Sequence, residues 1–314
     1  MVANSYSFCR PLLDKSRFLY LRSMRDYPVL HLDAFHGRVT NDEFYANLFS
    51  DHLENHHTAI SVPHKHDFYL VVLFTQGSGR HEVDFTEYSI SPGSLFYMKP
   101  GQTHHWEFSS PPEGYIFFHS RAFFEIPEPV VRLHQYPMYA LMQTPAHLQL
   151  DEEHRLPEIT GYFRAMYEEY GQQQPFKRNR LRNLIDQLYI ELSRILYAKY
   201  PGEPGRGVQP FSRLQQLESL IDQHYAGHKT ASDYADMLHI SPKYLNKLVQ
   251  HALGKTTTDL IHDRLLLEAK RLLVRKERPV QDVAEELGFE DAAYFSRLFR
   301  KKTGVSPKAF SERY

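Results

Sequence analysis

Residues 234–240 (YADMLHI) and 283–289 (VAEELGF) are two copies of one short pattern, beginning 49 residues apart. After each copy a further set of apolar and turn positions recurs at a spacing of 50 residues. This set pairs Tyr244, Leu245, Leu248, Val249 and Gly254 with Tyr294, Phe295, Leu298, Phe299 and Gly304. A repeat at fixed spacing indicates two copies of one supersecondary unit. Each copy has a short helix, a turn and an amphipathic second helix, which predicts a helix-turn-helix.

The second helix of each unit is predicted to expose a polar face. In the first unit Ser241 is a favourable N-cap and Pro242 suits the first helical position. The polar face of the first unit consists of Lys243, Asn246, Lys247 and Gln250. That of the second unit consists of Ala293, Tyr294, Arg297, Arg300 and Lys301. Such side chains reach phosphates or base edges in the major groove of DNA, and Arg297 is the best candidate for a guanine contact.

A long helix is predicted between the two units, over residues 256–276. Its apolar side is formed by Leu260, Ile261, Leu265, Ala269, Leu272 and Leu273. A rigid spacer suits two recognition helices that enter successive major grooves, about 34 Å apart on one face of the duplex. One amphipathic helix with a basic outer face is more often a solvated surface than a DNA reader. The prediction of DNA binding therefore depends on the tandem arrangement.

This region resembles the AraC/XylS-type bacterial transcription regulators. The resemblance covers residues 211–314 and is carried by residues 259–273 (DLIHDRLLLEAKRLL) and 283–307 (VAEELGFEDAAYFSRLFRKKTGVSP). It implies a seven-helix DNA-binding domain, with base contacts from Lys243, Asn246 and Lys247 in the first unit. The matching positions in the second unit are Ala292, Ala293, Tyr294 and Arg297. Because alanine offers only apolar contacts, for example to thymine methyl groups, we expect the second unit to read sequence less strongly. Gln250 and Lys301 complete the predicted DNA-binding set.

The N-terminal half predicts a different architecture. Residues 60–120 are rich in aromatic and β-branched residues and are punctuated by Gly77, Gly79, Pro92-Gly93 and Pro100-Gly101, a pattern typical of short strands joined by tight turns. The segment resembles a cupin, the small barrel that this regulator family often carries as a sensor. The predicted fold class is α+β multidomain: an N-terminal cupin-like β-barrel with trailing helices, then an all-α domain of two helix-turn-helix units joined by a long helix.

Histidines recur at the predicted strands of this barrel. Alternation with a period of two places His64 and His66 on one strand face and His104 and Trp106 on another, so three imidazoles are expected to meet if both faces line the barrel. The predicted effector-binding residues are His64, His66, Tyr69, His81, Phe96, His104 and Trp106. They would form an apolar pocket with a few polar anchors.

Three interpretations of these histidines remain open. They bind a small organic ligand through hydrogen bonds, they satisfy one another in a structural barrel, or His64, His66 and His104 hold a divalent metal. Metal-binding cupins usually place a glutamate four or five residues after the second histidine, where this chain has Leu70 and Val71. The missing carboxylate counts against a metal and against a metal-dependent cupin enzyme fused to a DNA-binding domain. We predict no cofactor and no enzymatic activity.

The chain is expected to divide into four parts. These are a cupin-like effector-sensing domain over residues 1–150, a helical segment over 151–200, a linker over 201–210 and the DNA-binding domain over 211–314. An apolar stripe runs along the helical segment through Leu181, Ile185, Leu188, Leu192 and Ile195. Two interpretations of the stripe remain open: it packs on its own domain, or it forms a helix pair across a two-fold dimer.

Composition limits the classes that apply. The formal net charge of −1 does not itself indicate a nucleic-acid partner, but residues 210–314 hold 17 basic against 14 acidic residues. The single cysteine, Cys9, excludes an intramolecular disulfide, and no apolar run is long enough to span a bilayer, so we predict a cytoplasmic protein without a membrane partner. The expected partners are double-stranded DNA, a small-molecule effector, RNA polymerase and a second copy of the chain. The resemblance favours activation over repression.

Overall fold

The structure is a computed structural model, and it describes residues 27–35, 43–60, 62–125, 133, 136–140, 145–151, 155–199, 208–274 and 278–313. Cys9, residues 201–207 of the predicted linker and the last two positions of the predicted connecting helix lie outside the described residues. Residues 208–210, which we assigned to the linker, already belong to a helix. Pro210 is tolerated there because the N–H groups of a first helical turn have no partner within the helix.

The N-terminal domain is rich in strands, as predicted. Its strands are β1 (Val29–Leu30), β2 (Phe44–Leu48), β3 (Lys65–His66), β4 (Tyr69–Val83), β5 (Thr86–Ile90), β6 (Ser94–Met98), β7 (His104–His119) and β8 (His147–Gln149). Its α-helices are α1 (Phe49–Ile60), α2 (Arg121–Phe124), α3 (Pro137–Ala140), α4 (Leu156–Tyr170) and α5 (Lys177–Lys199), with a short 3-10 helix at Leu32–Phe35. Helix α1 has no counterpart among the elements predicted from the sequence.

Two long strands organise this domain. The main sheet has the order β2-β7-β4-β6-β8, with β5 also paired to β4. Strands β4 and β7 pair along their whole length, from Tyr69 opposite His119 to Val83 opposite His104. Register shifts fall between Phe74 and Gly79. Such bulges bend a strand and interrupt its alternation of faces.

The two faces of the sheet cover two separate cores. One core is mainly aromatic and includes Phe49, Phe68, Phe74, Phe96 and Phe118. The other lies between the sheet and helices α4 and α5. Burial of these apolar side chains is the main favourable term in the stability of the domain.

The apolar stripe of α5 packs on its own domain. Leu181, Ile185, Leu188 and Leu192 are at most 2% exposed, and they share a core with Val71 and other residues of the sheet. Ile195 packs against the same core. The alternative interpretation, a dimer formed through this stripe, is therefore wrong, because its side chains are already covered within one chain.

The C-terminal domain is helical throughout its described residues. Its helices are α6 (Val208–His224), α7 (Ala231–Met237), α8 (Pro242–Leu253), α9 (Thr257–Val274), α10 (Val280–Glu286), α11 (Ala292–Thr303) and α12 (Pro307–Arg313). This is the expected set of seven helices. All six predicted apolar residues of the connecting helix α9 are buried. One core joins both helix-turn-helix units, α7–α8 and α10–α11, to α9. The predicted fold class is confirmed.

None of the helices in the described part of the chain has the length and apolar character needed to cross a membrane.

Candidate functional site

The first recognition helix, α8, begins as its sequence predicts. The Ser241 side chain accepts a hydrogen bond from the Tyr244 backbone N–H at 3.2 Å, and Pro242 occupies the first turn. Gly254 ends the helix in the left-handed conformation at φ +67°. Leu245 and Val249 face the core with 0% exposure. Lys243, Lys247 and Gln250 are exposed on the opposite side. These three predicted DNA contacts are therefore placed together on one accessible face.

Asn246 has a structural contact that the sequence analysis missed. Its Oδ1 accepts a hydrogen bond from the Thr257 backbone N–H at 3.0 Å. Thr257 is the first residue of α9, where the backbone N–H groups lack partners within the helix. Half-buried Asn246 thus fixes the recognition helix to the connecting helix, and its amide NH2 takes no part in this hydrogen bond.

The second recognition helix, α11, presents a different polar face. The Asp291 carboxylate caps it by accepting from the Ala293 backbone N–H at 2.7 Å. Arg297 is 68% exposed, and its Nη2 lies 3.4 Å from the second Asp291 oxygen. Ala293 and Lys301 are also exposed, and Tyr294 is 49% exposed. Ala292, also a predicted DNA contact, is less accessible than these residues, because it is half-buried and packs against the core of the domain.

In the N-terminal domain the structure brings the predicted histidines together. The rings of His64 and His66 lie 4.3 Å and 5.0 Å from that of His104, measured between centroids. His81 Nε2 is 3.1 Å from His104 Nδ1, and the His104 ring packs edge-on against Trp106 at 4.6 Å. We call these five residues, His64, His66, His81, His104 and Trp106, the histidine cluster. Phe96 adjoins it, with its ring 4.4 Å from that of His81.

Tyr69, which we predict as an effector-binding residue together with the histidines, does not belong to this cluster. Its ring stacks on His119 at 5.3 Å and meets Tyr139 at 4.9 Å, both on the opposite face of the sheet. Tyr69 and His81 are both odd-numbered positions of β4, and strict alternation would place them on one face. The bulges between Phe74 and Gly79 reverse the alternation between them.

The histidine cluster is buried and uncharged at neutral pH. Its four imidazoles are at most 2% exposed. Burial lowers the pKa of His64 to about 4 and the pKa of His66 to about 3. Burial, reinforced by neighbouring histidines, also lowers the pKa of His81 and of His104 well below the usual value. Desolvation has this effect because it penalises the charged imidazolium.

The hydrogen-bond partners of the histidine cluster determine which ring nitrogens donate and which accept. His66 Nδ1 lies 3.0 Å from the Phe68 carbonyl oxygen, which only accepts, so Nδ1 carries the hydrogen and Nε2 a lone pair. Of the facing nitrogens of His81 and His104, one donates and the other accepts. The other two ring nitrogens are His81 Nδ1 and His104 Nε2. Whichever tautomers are present, one of these two carries a hydrogen and the other carries a lone pair.

Several of these polar atoms have no protein partner. They are His66 Nε2, His81 Nδ1, His104 Nε2 and Trp106 Nε1. Two unmatched donors and two unmatched acceptors therefore lie in one buried cluster. Among the described residues, no group of three or more His, Cys, Asp or Glu side chains is arranged to hold a metal ion. Buried polar atoms without partners are rare in folded proteins, and each calls for an explanation such as a ligand or water.

The two domains together define a DNA-binding regulator of transcription with a ligand-binding domain. Comparison with known protein families gives the same result for each half. Residues 48–189 match the model described as the AraC-like ligand binding domain, and residues 234–313 match the model described as a helix-turn-helix domain. The chain belongs to the AraC-type transcription regulators, as its resemblance predicted.

Two similar proteins are named as regulators. The HTH-type transcriptional activator RhaR of Yersinia pestis is 22% identical over 271 residues, which cover 81% of this chain and 85% of RhaR. The arabinose operon regulatory protein of Escherichia coli is 24% identical over 245 residues, covering 77% and 80% of the two chains. The solved structure of ToxT from Vibrio cholerae matches with a TM-score of 0.41 at 13% identity, covering 86% of this chain and 98% of ToxT.

Proposed function

We propose that this protein is a cytoplasmic transcription activator that reads double-stranded DNA with both recognition helices and responds to a small molecule bound at the histidine cluster. The observation that carries the proposal is the pair of exposed, polar recognition faces held by one helical core. It acts as a homodimer and contacts RNA polymerase. The relatives support activation, since RhaR is named a transcriptional activator. They also support a regulator without enzymatic activity.

The proposed DNA contacts follow from exposure. Lys243, Lys247 and Gln250 supply the first unit, and Arg297 and Lys301 supply the second, because these side chains are free to reach phosphates and base edges. Ala293 and Tyr294 add apolar surface beside Arg297. Asn246 and Ala292 are positioning residues in this proposal, since both take part in packing within the domain.

The proposed effector carries groups that both donate and accept hydrogen bonds, of which hydroxyl groups are the simplest. The two unmatched donors and two unmatched acceptors of the histidine cluster would be satisfied by such a partner. Neutral imidazoles supply no charge to balance an anion, so an uncharged polar molecule fits better than a carboxylate. The atoms are fully shielded, so the effector must displace packed side chains to reach them.

Binding to a random pool of DNA duplexes, followed by sequencing of the retained fraction, tests the DNA-binding part. We expect an enriched motif with two half-elements about one helical turn apart, and affinity that falls steeply with salt. Affinity that is indifferent to salt would contradict phosphate contacts by the exposed lysines.

Thermal denaturation with a panel of uncharged hydroxylated compounds, matched carboxylates and apolar compounds tests the effector part. We expect stabilisation by a member of the first group, since a ligand that binds only the native state raises its stability. His104→Phe preserves an aromatic ring without its nitrogens, so the stabilisation should be lost in this variant. The same stabilisation in His104→Phe would place the ligand elsewhere.

A further inference from the structure

The hairpin between β4 and β5 has an unusual turn. Val83 pairs with Thr86, which leaves a two-residue loop formed by Asp84 and Phe85. Both residues have positive φ, +46° and +68°, as a type I′ turn requires. The second position of this turn favours glycine, and a bulky aromatic residue there is strained. Strain of this kind persists only where the surrounding structure compensates it.

Asp84 contacts the helical domain through charge. Arg271 of α9 donates through Nη2 to both carboxylate oxygens of Asp84, at 3.0 Å each. The two side chains are only 12% and 15% exposed. Asp84 also accepts from Gln102 Nε2 at 3.1 Å and from the Thr103 backbone N–H at 3.2 Å. The carboxylate is therefore positioned by hydrogen bonds within the sheet domain and forms an ion pair with one arginine of the DNA-binding domain.

Phe85 contacts the same domain through its ring. The ring lies 5.5 Å from that of Phe310 in α12 and 5.7 Å from Lys270 Nζ in α9. Phe85 packs against the core of the helical domain, although its chain neighbours belong to the sheet domain. A glycine would relieve the turn but would lose these contacts. The strained residue is thus explained by a partner outside its own domain.

We propose that the hairpin tip, Asp84 and Phe85, is the docking element through which the sheet domain holds the connecting helix of the DNA-binding domain and transmits its own state to it. The histidine cluster lies next to this element: His81 precedes Asp84 by three residues, and His104 follows Thr103. The regulatory part of the inference rests on the proposed function. The docking itself does not.

The contact is suited to reversible docking. Arg271 Nε is buried without a hydrogen-bond partner, so the docked state leaves one polar group unsatisfied. A buried ion pair contributes little net stability because desolvation offsets the attraction. Small contacts between domains permit relative motion. Movement of β4 or β7 at the histidine cluster therefore needs to shift the docking equilibrium only slightly to change the orientation of the recognition helices.

Amide hydrogen exchange in two variants of the full chain tests the docking. Phe85→Gly fits the turn better than the native residue, and Asp84→Asn keeps a favoured turn residue while removing the charge. Neither change should unfold the sheet domain. We expect amides in residues 266–274 and 307–313 to exchange about two- to tenfold faster in both variants, since an aromatic pair and an ion pair across the domains are lost.

Ser89→Ala is the matched control, because Ser89 is exposed on the same hairpin. It should leave exchange in the helical domain unchanged. If Phe85→Gly and Asp84→Asn also leave it unchanged, or if all three variants accelerate it equally, the docking proposal is overturned.

A second measurement separates this inference from the proposed function. Trp106 is the only tryptophan of the chain and reports on the sheet domain, while the anisotropy of a labelled, selected duplex reports on DNA binding. We expect DNA to change Trp106 emission in the native chain, and Phe85→Gly to bind DNA without that change. A native chain that fails to bind DNA would reject the proposed function alone. An equal Trp106 response in both proteins would reject transmission through the hairpin tip.

Discussion

The two helix-turn-helix units share one backbone plan but complete their central turn differently. In each unit the first helix ends with a left-handed residue, His239 at φ +53° and Gly288 at φ +70°. The following backbone N–H groups, of Ile240 and Phe289, each bond five residues back, which is the Schellman pattern. Glycine adopts this conformation without steric cost, whereas histidine does not. The first unit therefore tolerates a strained turn where the second does not carry one.

The reason for the glycine lies outside the second unit. A Cβ on Gly288 would stand 2.1 Å from the Ala226 carbonyl oxygen, in the loop between α6 and α7. Lys229 joins the same two segments, because its Nζ donates to the Gly288 carbonyl at 2.7 Å and to that of Ala226. The second turn is thus packed against the start of the domain, while the comparison indicates that the first turn has room for a side chain.

The largest expected effect comes from exchanging these turn residues. Gly288→Ala should lower the free energy of unfolding of the helical domain by about 3 kcal/mol, from left-handed strain plus overpacking against Ala226. His239→Gly should raise it by up to about 1 kcal/mol. Urea denaturation followed by circular dichroism measures both, with Trp106 emission as an internal control for the sheet domain. A Gly288→Ala variant as stable as the native chain would show that the close approach to Ala226 is not restrictive.

The next effect concerns what each unit offers to DNA. Arg297→Ala should weaken specific binding by roughly 1–3 kcal/mol, because arginine pairs with guanine through two hydrogen bonds. The Asp291 contact at 3.4 Å does not prevent this, since exposed ion pairs are weak. Anisotropy titrations on the selected duplex measure the loss, and unchanged affinity would reject this role of Arg297.

Lys247→Ala is the matched variant in the first unit, because position 247 corresponds to position 297 in the repeat. Its affinity should also fall. A loss that is equal on random DNA would identify a phosphate contact, whereas a loss confined to the selected duplex would identify base readout. The pair of variants therefore decides which unit reads sequence more strongly, which we predict to be the first.

A smaller effect is expected at the junction between each recognition helix and its neighbour. Asn246→Ala removes the acceptor for the Thr257 N–H and should cost about 1 kcal/mol of stability, as the loss of a helix cap does. Asn246→Asp keeps an acceptor and should restore most of it. The repeat-equivalent change Ser296→Ala should stay within about 0.5 kcal/mol. If Asn246→Ala instead leaves stability intact but abolishes specific binding, its main role is base contact.

Some features of the fold and of the candidate site could be predicted from sequence patterns alone. Features that depend on neighbouring residues were predictable without a resemblance: the cap at Ser241 and the apolar side of α9. Hydrophobic periodicity and capping chemistry are local, so they hold whatever the rest of the chain does. The convergence of His64 and His104 was predictable only because the resemblance to a cupin places both strand faces inside one barrel.

Features that depend on distant segments were not predictable. The bulges of β4 reversed the face of His81 relative to Tyr69. Gly77 and Gly79 lie in the bulged stretch, but the register itself is set by pairing with β7. The cap supplied by Asn246 joins two helices, and the contact of Phe85 joins two domains. Each requires the three-dimensional arrangement before its partner is known.

The smallest effect concerns the salt bridges that join each helix-turn-helix unit to α9. Lys302, in α11, donates to Asp259 at 2.6 Å, and Lys255, just after α8, donates to Asp263 at 2.8 Å. Hydrogen bonds from Lys302 and Thr256 hold the pKa of Asp259 well below its usual range. The folded state therefore favours the ionised carboxylate, so its stabilising effect is present above the unfolded pKa and is lost as the pH falls through the folded one.

Because Asp259 is 37% exposed, solvent screening keeps this effect small. Asp259→Asn should reduce the free energy of unfolding by less than about 1 kcal/mol at neutral pH, and the difference from the native chain should shrink as the solution is acidified below the ordinary carboxylate pKa. Asp263→Asn is the matched change at the end of the first unit. Urea denaturation at neutral and acidic pH compares them. A difference that grows on acidification would mean that Asp259 is not stabilised in its ionised form. The Lys302–Asp259 salt bridge would then not stabilise the contact between the second unit and the connecting helix.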